Sequence, residues 1–391
     1  MDAASAPRDL NQTLASSRVV LCVGCGGVGK TTTCAALGLA AAMRGKRVLC
    51  LTIDPAKRLA QSLGLESFDT EAQVIDADVF TRAGLEVPGS LTVMMLDTKT
   101  TFDDLVRSLA DSDEQRDRIL DNVLYRYIST TLAGTQEYMA MEKLYAVKDD
   151  DRYDIVFLDT PPTSHALDFL DAPERLVGAI DSPAVRWFIR AFSDSGRFSL
   201  NLLQRGAATI LKGVGKITGG GFLEQVAVFL TEFNALFGSW RERAEVVSSA
   251  LREEGVSYVL VTTPEPTSIR EVLFFGERLR AQDMRPDAYV VNRVHQPPEV
   301  DATEAEVADA MVAEKLLLDD QAARRVLEAV RHETRLASLN RLNLFALEEA
   351  FTDDGGPVPA VAYIPDSFHD IHDVSRLAWV AEQIAPADLA R

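Results

Sequence analysis

The sequence predicts an α/β fold with a doubly wound, mostly parallel sheet, on three observations. Short β-branched apolar runs alternate with helical stretches along the 391-residue chain, as in sheets that carry helices on both faces. The run Arg18–Gly24, the alanine-rich stretch Lys30–Gly45 and the run Lys46–Asp54 predict an opening βαβ unit. Two apolar runs end in the acidic residues Asp54 and Asp159, and ligands of such sheets bind at the carboxyl ends of the strands.

Five further apolar runs predict strands, and two segments between them predict helical insertions at about residues 99–150 and 173–254. We therefore expect a flexible leader at residues 1–17, followed by a single domain over residues 18–391 that carries an inserted helical subdomain. The five further strands are expected at Leu91–Asp97, Tyr153–Thr160, Val256–Thr263, Ala288–Val294 and Pro359–Ile364.

Composition limits the possible functions. The 40 basic and 59 acidic residues give a net charge of −19, which argues against nucleic acid as a partner, because phosphate neutralisation supplies most nonspecific affinity. The cysteines Cys22, Cys25, Cys34 and Cys50 all lie near the start of the chain, which does not suit a disulfide framework and indicates a reducing compartment. No apolar run approaches the roughly 18 residues that span a bilayer. Residues 1–17 lack the features of a secretory signal, so we expect a cytoplasmic protein.

The stretch GCGGVGKTTT, Gly24–Thr33, fits two phosphate-binding patterns. One is the G-x-G-x-x-G loop of dinucleotide-binding folds, with Asp54 placed for a ribose hydroxyl. The other is the stricter G-x-x-x-x-G-K-[ST] loop, in which Lys30 would reach the β and γ phosphates and Thr31 would bind Mg²⁺. Asp159 adds the carboxylate that a phosphoryl-transfer site needs near its metal. The sequence therefore favours a magnesium-dependent nucleoside triphosphatase.

Five motifs together resemble the ArsA-type ATPases over nearly the whole chain from Arg18 onward. They are GCGGVGKTTT, LTIDPAKRLAQSLG, LDTPPTSHALDFLDAP, TTPEPTSIREVLFF and YVVNRV. This family includes arsenite-pump ATPases, the eukaryotic ATPase that delivers tail-anchored membrane proteins, and many bacterial members. The resemblance implies a P-loop fold with a deviant Walker A loop, ATP and Mg²⁺ as cofactors, and a dimer that ATP closes and hydrolysis reopens.

The resemblance also implies a role for each matching residue. Asp54 is expected to position and polarise the attacking water, and Asp159 is expected to hold Mg²⁺ through water. Asn292 matches an adenine-contacting asparagine, and Pro365 matches the proline against which the base packs. The expected phosphate cradle comprises Gly26, Gly27, Val28, Gly29, Lys30, Thr31 and Thr32, of which Lys30 is expected to take part in catalysis and Thr31 to bind the metal.

Cys25 departs from the family pattern, in which a lysine at this position crosses the dimer to the partner's nucleotide. A thiol is shorter and carries no reliable positive charge, and a cation supplied in trans contributes about 10³ to 10⁵ in rate at comparable sites. One interpretation is a heterodimer with a paralogous ATPase that keeps the lysine. The other is a homodimer in which Lys57 or Arg58 supplies the charge.

The client is left open by the sequence. The insertions contain no cysteine, so arsenite, which needs several soft thiolates, is not an expected cargo. From Arg186 to Ile217 six basic residues stand against one acid on an amphipathic stretch, which suits a packed helix, an apolar client or an anionic membrane. Three hypotheses follow: an ATPase switch with a hydrophobic or membrane-associated protein client, an ATP-binding module with negligible turnover, and a positioning ATPase that is peripheral at the membrane surface.

Overall fold

The computed structural model describes residues 10–53, 58–63, 70–123, 125–126, 129, 135–161, 169–181, 183, 220–298, 301–316, 321–352, 358–367 and 369–386. The chain divides into two compact units. The first contains the described residues of Met1–Met94, Arg152–Ser164 and Gly255–Arg391, and the second those of Met95–Asp151 and His165–Glu254.

The sheet has eight strands in the order β3-β4-β2-β5-β1-β6-β7-β8. The pairs β1–β5, β1–β6, β2–β5, β6–β7 and β7–β8 are parallel, whereas β3 and β4 are antiparallel. This arrangement confirms the predicted α/β fold class. The strands are β1 (Val19–Gly24), β2 (Arg47–Thr52), β3 (Gln73–Val74), β4 (Ser90–Met95), β5 (Ile155–Asp159), β6 (Val256–Thr262), β7 (Pro286–Val294) and β8 (Ala360–Pro365).

All seven strands that apolar runs predict are present. The burial of the central strands explains why their apolar runs are continuous. Every residue of β1 and of β5 is buried, as expected for parallel strands covered on both faces. The strand β3 was not predicted. It has only two residues, both exposed, so it leaves no pattern of hydrophobicity.

Helices flank the sheet and build the second unit. The first unit contains α1 (Leu10–Ser16), α2 (Lys30–Met43), α3 (Arg58–Ser62), α4 (Ala77–Arg82), α10 (Pro266–Arg280), α11 (Glu304–Ala313), α12 (Ala322–Thr352) and α13 (Val374–Ile384). The second unit contains α5 (Thr98–Leu109), α6 (Asp113–Leu120), α7 (Thr135–Lys148), α8 (Ala172–Ile180) and α9 (Gly220–Ala250), which lie within or beside the predicted helical insertions. None of the described helices is long and apolar enough to cross a membrane.

The core of the second unit is aromatic. Trp240 of α9 packs edge-on against Phe102 of α5, with ring centroids 5.3 Å apart, and Phe233 lies 5.3 Å from the same tryptophan. In the same unit Glu142 is buried and accepts hydrogen bonds from Tyr138 and Arg243. Burial raises the pKa of the Glu142 carboxyl, and the Arg243 guanidinium opposes that effect. The arginine therefore offsets the cost of placing a carboxylate in this core.

Part of the predicted flexible leader is structured, since residues 10–16 form α1. Leu10 and Leu14 are buried. Lys46 Nζ donates to the Leu14 carbonyl at 2.8 Å, and Arg44 donates to Asn11 Oδ1 at 2.6 Å. A helix of this length is marginal alone, so these tertiary contacts stabilise it and the local sequence does not reveal it.

Replacement of Leu14 by alanine should lower the free energy of unfolding by about 2 to 5 kcal/mol, the usual cost of truncating a buried leucine. The side chain is 1% exposed. Urea denaturation of the full chain measures the effect. The matched control is Gln12→Ala on the exposed side of the same helix, which should change stability by less than about 0.5 kcal/mol. Equal effects of the two substitutions would show that α1 does not contribute to the core.

Candidate active site

The loop between β1 and α2 has the backbone of an anion-binding site. Gly27 and Gly29 have φ angles of 80° and 96°, a left-handed conformation that glycine adopts without strain. Gly29 is the N-cap residue of α2 and has no side chain that could accept a hydrogen bond from the first turn. The first N–H groups of a helix have no acceptor within the helix, so this terminus presents donors and a positive dipole end to an anion.

Residues of two neighbouring strands lie close to two glycines of the loop. A Cβ on Gly24 would lie 2.1 Å from the carbonyl oxygen of Val261 in β6. A Cβ on Gly29 would lie 2.3 Å from Nδ2 of Asn292 in β7. Asn292 Nδ2 donates to the Val28 carbonyl at 2.8 Å, which ties the loop to β7.

Lys30 and Cys25 both turn toward their own chain. Lys30 Nζ is buried and donates to the Cys25 carbonyl at 2.9 Å. The Cys25 thiol donates to the Ser268 carbonyl in the first turns of α10 at 3.8 Å, and the residue is 7% exposed. The ammonium group therefore lies over the loop, whereas the thiol is enclosed.

A hydroxyl and a carboxylate meet beside the loop. Thr31 Oγ1 donates to Asp159 Oδ2 at 2.7 Å, and Thr52 Oγ1 donates to the same oxygen at 3.0 Å. Asp159 is buried at the end of β5. Hard oxygen donors of this kind are what Mg²⁺ requires. Within the described part of the chain no group of three or more His, Cys, Asp or Glu residues could hold a metal ion.

A cavity of about 650 Å³ adjoins the loop. Four residues that the sequence predicts as nucleotide contacts line it: Gly29, Thr32, Asn292 and Pro365. The wall also includes residues that the sequence did not predict as nucleotide contacts. These are Thr33, Ser62, Arg293, Ile364, Asp366, Ser367, His369, Asp370, Ile371, His372, Trp379 and Val380.

Some predicted residues cannot be placed in the site. Asp54, Lys57 and residues 186–217 lie outside the described residues, and so does the side chain of Arg58. Their roles stay predictions.

Three of the four cysteines pack together in the core of the first unit. Cys34 of α2 hydrogen-bonds with Cys22 of β1 and Cys50 of β2, and these contacts, with burial, raise the pKa of the Cys34 thiol well above its ordinary value. All three residues are buried. A raised pKa favours the protonated thiol, which is the less reactive form of a cysteine.

The sheet order, the glycine loop with its lysine, and the Thr31–Asp159 pair define a P-loop nucleoside triphosphatase. Residues 17–196 match the family model described as anion-transporting ATPase, of the ArsA type.

The chain is also similar to three fungal proteins. It is 28% identical over 279 residues to "ATPase get3" of Aspergillus terreus, across 70% of this chain and 72% of that protein. It is 28% identical over 285 residues to "ATPase GET3" of Paracoccidioides lutzii, across 72% and 74%. It is 26% identical over 285 residues to "ATPase GET3" of Malassezia globosa, across 72% and 74%. The family match and these relatives agree with the motifs, and the chain is similar to ArsA-type ATPases.

Replacement of Gly29 by alanine should both destabilise the protein and weaken ATP binding. The backbone strain of a left-handed alanine costs about 1 to 2 kcal/mol, and the new Cβ must also displace Asn292. Gly84→Ala is the matched control, because Gly84 has a φ of 71° with no atom within 4 Å of its added Cβ. Urea denaturation and calorimetric ATP titration measure the two effects. If both variants lose the same stability and retain ATP affinity, the proposed role of the Asn292 contact is wrong.

Proposed function

We propose that this chain is a magnesium-dependent ATPase that works as a nucleotide-driven dimeric switch and acts on a hydrophobic or membrane-associated protein client. The observation that carries the proposal is the 2.7 Å hydrogen bond between the Thr31 hydroxyl and the buried Asp159 carboxylate beside the phosphate loop. A dinucleotide-binding fold needs neither this pair nor the lysine that precedes it.

The phosphate loop would bind the phosphates of the nucleotide, and the adjoining cavity would bind its base. The N–H groups around Gly27 and Gly29 would bind the phosphates, and Lys30 would move from the Cys25 carbonyl to the β and γ phosphates. The cavity wall at Asn292 and Pro365 would receive the base.

The residues present fit Mg²⁺. Thr31 and Asp159 would hold the ion, the threonine directly and the aspartate through water. When bound, Mg²⁺ neutralises charge on the phosphate oxygens. Its remaining ligands would be water and phosphate oxygens, as is usual for this ion.

Asp54 would orient and polarise the attacking water. The support is its position in the sequence, two residues after Thr52, whose hydroxyl donates to Asp159 Oδ2 at 3.0 Å. Since β2 and β5 are parallel neighbours, their carboxyl ends lie at one edge of the sheet. A carboxylate that follows β2 is therefore suited to act near the Mg²⁺ ion and phosphates that Asp159 would help to bind.

Asp54→Asn should abolish hydrolysis while ATP still binds. Loss of a general base costs about 10²- to 10⁴-fold in rate, whereas the phosphate loop, which supplies most of the affinity, is unchanged. Phosphate release measures turnover, and calorimetry measures ATP affinity. Glu277→Gln is the matched control, because it also removes one carboxylate, at an exposed position of α10. It should leave turnover and ATP affinity unaltered. Wild-type turnover in Asp54→Asn would contradict the proposed role.

Cys25 supports a heterodimer with a paralogous ATPase. Its thiol is enclosed by its own chain near Ser268, so it supplies no cation to a partner's nucleotide. A partner that keeps the lysine would serve the ATP bound here, and the partner's own site would lack this help. The dimer would then have one competent site. In the rival arrangement a homodimer relies on Lys57 or Arg58.

Cys25→Lys should raise ATP hydrolysis by the isolated chain about 10³-fold or more, because the variant restores a cation across the dimer. Cys25→Ser is the control, since it changes the thiol without adding charge, and it should remain slow. Turnover is measured on the purified chain alone. Full activity in the wild-type chain, with no gain in Cys25→Lys, would reject the heterodimer. Loss of that activity in Lys57→Ala would then support the homodimer in which Lys57 supplies the charge.

The same measurements test the first of the two remaining functions. If wild type and Cys25→Lys both bind ATP and neither hydrolyses it, the chain is an ATP-binding module. The membrane-surface alternative, with a cytoplasmic protein held at the bilayer, rests on the basic stretch within residues 186–217, which lies outside the described residues.

A further inference from the structure

Trp379 exposes an aromatic face inside the cavity beside the phosphate loop. The residue is 38% exposed and belongs to the cavity wall together with Pro365. Trp240, by contrast, is 2% exposed in an aromatic core. Small-molecule pockets are lined mainly by hydrophobic and aromatic side chains, so an indole in this wall is suited to contact a ligand.

The exposure of Trp379 is a property of a well-anchored helix. On α13 the residues Val374, Leu377, Val380, Ala381 and Ile384 are buried. Asp373 caps the helix by accepting a hydrogen bond from the Arg376 backbone at 2.8 Å. Arg376 also donates to the Asp370 carbonyl at 2.8 Å, which holds the preceding loop against the helix. The indole is therefore presented from a fixed position.

The cavity combines a phosphate-binding part with an apolar part. Gly29 and Thr32 belong to the phosphate loop and the first turn of α2, whereas Ile364, Ile371 and Trp379 supply apolar surface. Its volume of about 650 Å³ falls in the range of small-molecule sites. A ligand with a polyphosphate at one end and a flat aromatic group at the other matches both parts.

We propose that Trp379 stacks on the base of the bound nucleotide and gives the site its preference for purine nucleotides. The inference rests on the proposed ATP binding and adds a residue to it. A purine presents a larger face to an indole than a pyrimidine does, so the stacking stabilises purine nucleotides more. Inorganic tripolyphosphate has no base and gains nothing from the contact.

The test compares three variants with three ligands. Wild type, Trp379→Ala, Trp379→Phe and Tyr363→Ala are titrated with ATP, CTP and inorganic tripolyphosphate in the presence of Mg²⁺. Tyr363 is the matched control, because it is also an aromatic residue at 38% exposure but is not part of the cavity wall. Each titration follows heat and, separately, tryptophan fluorescence.

Trp379→Ala should weaken ATP binding about 10-fold, within the range known for base–aromatic stacking, and should leave tripolyphosphate binding within about 2-fold. It should also narrow the preference for ATP over CTP. Trp379→Phe should retain most of the ATP affinity and abolish the fluorescence change that ATP causes in wild type. Tyr363→Ala should match wild type with every ligand.

Two results would overturn the assignment. One is equal weakening of ATP and tripolyphosphate in Trp379→Ala, which would indicate a structural role. The other is unchanged ATP affinity in that variant. A wild-type chain that binds tripolyphosphate but discriminates no base would contradict the stacking alone, whereas a wild-type chain that binds none of the three ligands would contradict the proposed function itself.

Discussion

The contact between β7 and the phosphate loop is the constraint on which the rest of the site depends. The side-chain amide of Asn292 donates to the Val28 carbonyl, and its Nδ2 would lie 2.3 Å from a Cβ on Gly29, so a side chain there would have to displace it. At the other end of the loop a Cβ on Gly24 would lie 2.1 Å from the carbonyl oxygen of Val261 in β6. Close packing against two adjacent strands therefore favours glycine at both positions, and at Gly29 the left-handed backbone adds to this preference. The loop owes its shape to the sheet before any ligand arrives.

Much of the architecture could be predicted because buried parallel strands produce continuous apolar runs. The run before Gly24 and the run before Asp159 are strands that are buried throughout, and the residues that follow them lie at one edge of the sheet. The edge strand Gln73–Val74 has no such signal, since both of its residues are exposed. The helix Leu10–Ser16 is held by distant residues, and a local pattern does not report distant contacts.

The site itself was only partly predictable. Lys30 and Thr31 follow from a motif, because their chemistry requires a fixed spacing in the chain. Asn292 followed from resemblance alone, and its hydrogen bond to Val28 was not anticipated. Trp379 lies on a helix whose sequence resembles any amphipathic helix, and only the fold brings it to the same cavity as Gly29. Residues that only the fold brings together have no fixed spacing in the sequence, so a sequence motif does not reveal them.

Asp159 has a notable place in the covalent topology. The segments Met95–Asp151 and His165–Glu254 belong to the second unit. Only the stretch between them, Arg152–Ser164, belongs to the first unit, which contains the sheet. Asp159 stands near the middle of that stretch, with residues 160–164 between it and the next helical portion. The strand β5 is therefore flanked in the sequence, on both sides, by segments of the second unit. A variant that deletes either of these segments would also alter a chain connection of the strand that ends in this carboxylate.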